Sequence, residues 1–75
     1  MERKTLFKLA VAIRDSREDE GYSAAQFCED HQVSRTHLYE VLGGDRTSQP
    51  LTEAIDEFIR GEARAADIDL PKAAA

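Results

Sequence analysis

Three side chains in the middle of the chain have the chemistry to hold a metal or activate a nucleophile: Cys28, His31 and His37. Cys28 and His31 stand at i and i+3, on one face of any helix that carries them. A structural zinc site takes four ligands, and the paired Cys-x-x-Cys spacing that supplies them is absent. The apolar periodicity puts Cys28 on a core face instead. A cysteine nucleophile with a histidine base also needs a pocket. A chain of 75 residues buries only roughly 60% of the surface its unfolded form exposes, so its core is thin. We expect no metal, no cofactor and no catalytic group, hence not an enzyme, and we expect His31 to be a half-buried helix-packing residue.

A second set of side chains offers hydrogen bonds rather than acid–base chemistry. Arg35 has the fork that pairs with the O6 and N7 of guanine, and Thr36 suits a thymine methyl or a phosphate. Tyr39, one turn on, reaches a base edge or a phosphate, or packs on its own surface. Glu40 is an acceptor for the cytosine amino group, but phosphates repel it, so discrimination against wrong partners or a role in a dimer stands beside base contact. Ser34 is first a helix cap and second a phosphate contact. Arg46, Thr47 and Ser48 have the make-up of a phosphate clasp, and Gln26 is a further phosphate contact. For each of these the plain alternative is a solvated side chain, and for Arg35 a pair with Glu29.

These residues need elements to position them. Leu6, Leu9, Ala10 and Ile13 recur at i, i+3, i+4 and i+7, which predicts an amphipathic helix over about 3–18, ended by an acidic run and Gly21 as its cap. Ser23 caps a second helix over about 24–31, with Ala24, Phe27, Cys28 and His31 at the same spacing. Gln32 and Val33 make a tight turn. Ser34 caps a third helix over about 35–42, with Leu38, Val41 and Leu42 on its inner face and Gly43-Gly44 as its stop. Ser48 caps a fourth helix starting near Pro50, tolerated in a first turn. Leu51, Ala54, Ile55, Phe58 and Ile59 bury its inner face, and Gly61 ends or interrupts it. The expected fold class is all-α: a compact bundle of four short helices, or five if 62–66 form their own. The domain is placed at 1–66, with 67–75 as a loose tail.

Two short helices joined by three residues, with an apolar residue in the turn, describe a helix-turn-helix over 23–42. Phe27, Cys28, Val33, Leu38 and Val41 form its core. Cys28 is the small side chain at the helix crossing, and Val33 plugs the turn. From Ser23 to Ile59 the chain resembles the lambda-repressor/Cro-like helix-turn-helix domains of bacterial and phage regulators. The residues that carry the resemblance are Phe27-Cys28, Val33-Ser34-Arg35, Leu38-Tyr39-Glu40-Val41-Leu42 and Gly43-Gly44-Asp45-Arg46-Thr47-Ser48, followed by Leu51, Ile55, Phe58 and Ile59. Two positions depart from that pattern. Gln32 stands where the turn commonly has glycine, and a left-handed conformation there costs roughly 1–2 kcal/mol. His31 stands where an aliphatic residue is usual. The resemblance implies a transcriptional regulator, a repressor of bacterial, phage or plasmid origin. It would bind operator DNA as a homodimer and place helix 35–42 in the major groove.

The net charge of −5 argues against such a role at first, because phosphate contacts supply most non-specific affinity. Divided by segment, the charge is +3 over 1–17, −5 over 18–33, zero over 34–48 and −3 over 49–75. The recognition segment is neutral and holds Arg35 and Arg46, and the basic flank of helix one is available for phosphates. The acidic remainder keeps open an alternative: an anti-repressor or polymerase-binding module on a helix-turn-helix scaffold, with a protein as partner. Dimer contacts are expected from helix four and the tail, through Phe58, Ile59, Ile68 and Leu70. The longest apolar run, Leu9–Ile13, is far short of the ~20 residues of a membrane helix, so no membrane partner is expected. The N-terminal residues have no signal-like apolar core. A single cysteine fits a reducing cytoplasm.

Overall fold

The computed structural model describes residues 1–69. The chain is all-α, with four helices among the described residues and no strand: α1 (Arg3–Arg17), α2 (Ala24–His31), α3 (Arg35–Leu42) and α4 (Gln49–Ala65). Each forms where apolar residues recur at helical spacing. α1 buries Leu6, Phe7 and Ala10, α2 buries Phe27 and Cys28, α3 buries Leu38, Val41 and Leu42, and α4 buries Leu51, Ile55 and Ile59. These side chains form one core, with Val33 and Phe58 packed against its edge. The two long helices make the most extensive contact, and α3 rests on both of them.

The two long helices are also tied by ion pairs. Arg3 donates from Nε to Asp56 at 2.8 Å, and Arg17 bonds both carboxylate oxygens of Glu62. Arg14 adds a longer contact to Glu62 at 3.9 Å and pairs with Glu18 at 3.2 Å. Glu62 is only 4% exposed, whereas the side chains of Arg14 and Arg17 reach solvent. A carboxylate this buried needs its cations, since losing them leaves a desolvated charge without compensation. Arg14 also lies over the Tyr22 ring, 4.7 Å from its centroid.

Helix ends explain most departures from the sequence pattern. α1 stops at Glu18, not at Gly21, and its last turn carries Arg14 and Arg17, the favourable charge for that end. Gly21 instead turns the chain at φ +81°. There a Cβ would stand 2.8 Å from Oδ1 of Asp15, the oxygen that accepts from the Tyr22 N–H at 2.7 Å. Ser48 begins α4 with its backbone alone, and its side chain makes no capping bond. Gly61 neither ends nor interrupts α4, which runs through to Ala65, so no fifth helix forms among the described residues. Gly61 lies on the outer face with open space around it. Its cost of about 1 kcal/mol relative to alanine is outweighed by Ile59, Glu62 and Ala63, all buried around it.

Three helix ends close in the same way. After α3, the Gly44 and Asp45 N–H groups donate to Val41 O and Glu40 O. After α4, Asp67 and Ile68 donate to Arg64 O and Ala63 O. After α2, Gln32 and Val33 donate to Glu29 O and Cys28 O. This closure requires a left-handed residue, supplied by Gly44 at φ +84°, Asp67 at +56° and Gln32 at +55°. Gln32 thus carries the strain that glycine would avoid. Gln32→Gly is expected to stabilise the fold by about 0.5–1 kcal/mol, the left-handed cost less the added freedom of the unfolded chain. A urea titration reads this as a raised midpoint, and a lowered midpoint would contradict it.

Candidate nucleic-acid interface

The site is built from the α2–turn–α3 pair. Ser34 accepts from the His37 N–H at 3.0 Å and so fixes the start of α3, while Ser23 accepts more weakly from Gln26 N at 3.4 Å. Leu38, Val41 and Leu42 face inward, Cys28 fills the crossing at 4% exposed, and Val33 is half-buried in the turn. Arg35, Thr36 and Tyr39 are exposed on α3, and Glu40 and His37 are half-buried. Residues 35 and 39, and 36 and 40, are each one turn apart, so the four share one face.

Together with Asp45 they line an open depression of about 550 Å³. Arg35 stands at the first position of α3 and makes no ion pair among the described residues; the pair with Glu29 does not form. Arg46 reaches back from the loop, its Nε 3.2 Å from Oε2 of Glu40. Tyr39 is 42% exposed. Burial pushes the Cys28 thiol up from its ordinary pKa, and the nearby Arg35 guanidinium partly offsets this. The thiol is thereby kept protonated and unreactive.

The structure brings together only part of the expected set. Arg35, Thr36, Tyr39 and Glu40 converge, and Arg46 joins them through Glu40. Gln26, Thr47 and Ser48 do not line the depression, and Gln26 is engaged with Asp30 at 3.0 Å within its own helix. Asp45, which is not among the expected contact residues, forms part of the wall. The signal for it was Gly44, since a left-handed cap turns the next residue back over the helix.

Three other expectations need correction. The basic flank of α1 is not a free cationic surface: Arg3, Arg14 and Arg17 are engaged with carboxylates, which leaves Lys4 and Lys8 exposed. His31 is exposed rather than half-buried; its ring covers Phe27 at 4.1 Å, and Nδ1 faces Phe27 O at 3.0 Å. Ile59 is buried, and Phe58 is half-buried and stacks among Phe7, Tyr22 and Phe27, so both serve the core. Ile68 is 46% exposed, and Leu70 lies outside the described residues. Other exposed apolar residues are Leu9 and Met1.

No three metal-ligand side chains meet among the described residues, and no helix there is long and apolar enough to cross a membrane. Comparison with protein-family models, curated proteins and solved structures finds no match.

Proposed function

We propose that the chain is a sequence-specific DNA-binding regulator of the helix-turn-helix kind, similar to lambda-repressor/Cro domains, acting as a repressor on operator DNA in a bacterial, phage or plasmid setting. One observation carries this reading. Two eight-residue helices meet across a three-residue turn, and the second presents Arg35, without an ion pair among the described residues, with Thr36, Tyr39 and Glu40 around an open depression. Donors and acceptors on the exposed face of a short helix suit the edges of bases in the major groove. The Ser34-capped start of α3 adds the positive end of a helix dipole toward phosphate.

The affinity has to come from few contacts. With the α1 arginines engaged, Lys4 and Lys8 are the cations that α1 has to spare. Homodimers joining two half-sites compensate by effective concentration. The same ion pairing favours a second reading, in which the acidic surface binds a protein such as a regulator or polymerase subunit.

Selection of bound sequences from random duplex DNA separates the two. The DNA reading predicts enrichment of a palindromic site whose half-sites lie about one helical turn apart. No enrichment, with no salt dependence of binding to random duplex, would leave the protein-partner reading in place.

A further inference from the structure

We propose that Glu40 is a specificity-determining residue that acts through Arg46, occupying in the free protein the place a DNA phosphate would take. The inference rests on the DNA-binding reading. Arg46 is the cation of the loop that follows α3, and its side chain is 56% exposed. Its guanidinium meets the Glu40 carboxylate at 3.2 Å. The loop that carries it is held to the same residue, since the Asp45 and Arg46 N–H groups both donate to the Glu40 carbonyl, at 2.9 and 3.2 Å. Gly44, left-handed at φ +84°, makes that fold-back possible. The pair is therefore aligned by backbone geometry as well as by charge.

A carboxylate and a phosphate compete for the same guanidinium donors. Random DNA offers Arg46 a phosphate but gives Glu40 nothing in return. It leaves that carboxylate, with Asp45 in the same depression, facing a polyanion. The exchange gains little, so non-specific binding stays weak. A site with a cytosine amino group in reach of Glu40 completes the exchange: Arg46 passes to phosphate and Glu40 accepts from the N4 amino group. Only the second kind of site satisfies both partners. Glu40 then discriminates twice, by taking a base donor when one is present and by holding back a phosphate contact when none is.

The test is a set of salt titrations of the full chain on random duplex DNA and on its selected site, for wild type, Glu40→Gln, Arg46→Ala and the double variant. Glu40→Gln is expected to bind random duplex about fivefold tighter at low salt, with the slope of log K against log salt steeper by about 0.9 for each protomer bound, one added phosphate contact per protomer. It should also relax the base preference at one position of each half-site of the selected site. In the Arg46→Ala background the slope change should vanish. An unchanged slope for Glu40→Gln would overturn the proposal. So would an equal steepening with and without Arg46, because Glu40 would then act by simple repulsion. Either result, with a selected site still bound, leaves the DNA reading intact. Failure of all four proteins to bind any duplex removes that reading and this one with it.

Discussion

Replacing Arg35 with alanine is expected to abolish specific DNA binding while leaving the fold as stable as before or slightly more so. The stability half follows from position. Arg35 is the first residue of α3, where the exposed N–H groups carry partial positive charge, and no acidic residue in that first turn offsets it. Its guanidinium has no ion-pair partner among the described residues. An arginine there costs about 0.3–1 kcal/mol against the dipole, so its removal should not lower the melting temperature. The binding half follows from chemistry. A bidentate contact to guanine discriminates by roughly 1–3 kcal/mol, and a dimer loses it in both half-sites. The combined loss is on the order of 2–6 kcal/mol if the two contacts add, enough to bring specific binding close to the non-specific level. Arg35→Lys keeps the charge and loses the fork, so it should keep the salt slope and lose most of the discrimination. Mobility shift at fixed salt, beside thermal melting by circular dichroism, reads both halves. Unchanged affinity for the selected site would sink the assignment of Arg35 to base contact.

The ion pairs change what the negative charge implies. Summed by segment, residues 1–17 hold five cations. In the folded chain Arg3 serves Asp56, and Arg14 and Arg17 serve Glu62. The basic segment thus neutralises part of the acidic helix packed against it, and the charge remaining at the proposed interface is nearly balanced. On the proposed DNA reading, a protein arranged in this way should show shallow salt dependence on random DNA and would draw its affinity from base contacts and from pairing of two copies.

The helices were legible because the information they need is local. The helical spacing of Ala24, Phe27, Cys28 and His31 and of Leu38, Val41 and Leu42 places α2 and α3 at their observed bounds, and Ser23 and Ser34 mark their starts. What escaped depends on partners distant in the chain. Nothing in the spacing of Arg3 and Asp56, 53 residues apart, or of Arg17 and Glu62, 45 apart, announces a pair. Gly61 looked like a stop because propensity is local, but its helix is held from the inner face by tertiary contacts. Phe58 and Ile59 looked spare because the depth of the core cannot be read from one helix. The face of the site was legible in Arg35, Thr36, Tyr39 and Glu40, since these share one face of α3 away from the buried Leu38, Val41 and Leu42. The coupling of Glu40 to Arg46 was not, because it depends on how the chain turns at Gly44.

Phe27→Ala is expected to cost about 3–5 kcal/mol, the usual range for truncating a buried aromatic. Phe27 is fully buried, with ring centroids 5.0 Å from Phe7 and 5.2 Å from Phe58, and His31 covers its outer side. Global stability for a chain of this size is about 4–11 kcal/mol at typical values per residue, so the loss is a large share of the total. It falls on the helix with the fewest buried residues. α2 has eight residues, too few to hold as an isolated helix, and its fully buried anchors are Phe27 and Cys28. Releasing it frees the turn and, with it, the start of α3 that Ser34 caps. The variant should lose DNA binding together with helical signal, whereas Arg35→Ala loses binding alone. Phe27→Leu keeps much of the volume and should cost less and retain binding at low temperature. Urea unfolding at 25 °C checks the magnitudes; a Phe27→Ala midpoint within error of wild type would mean that α2 is anchored elsewhere than through this ring.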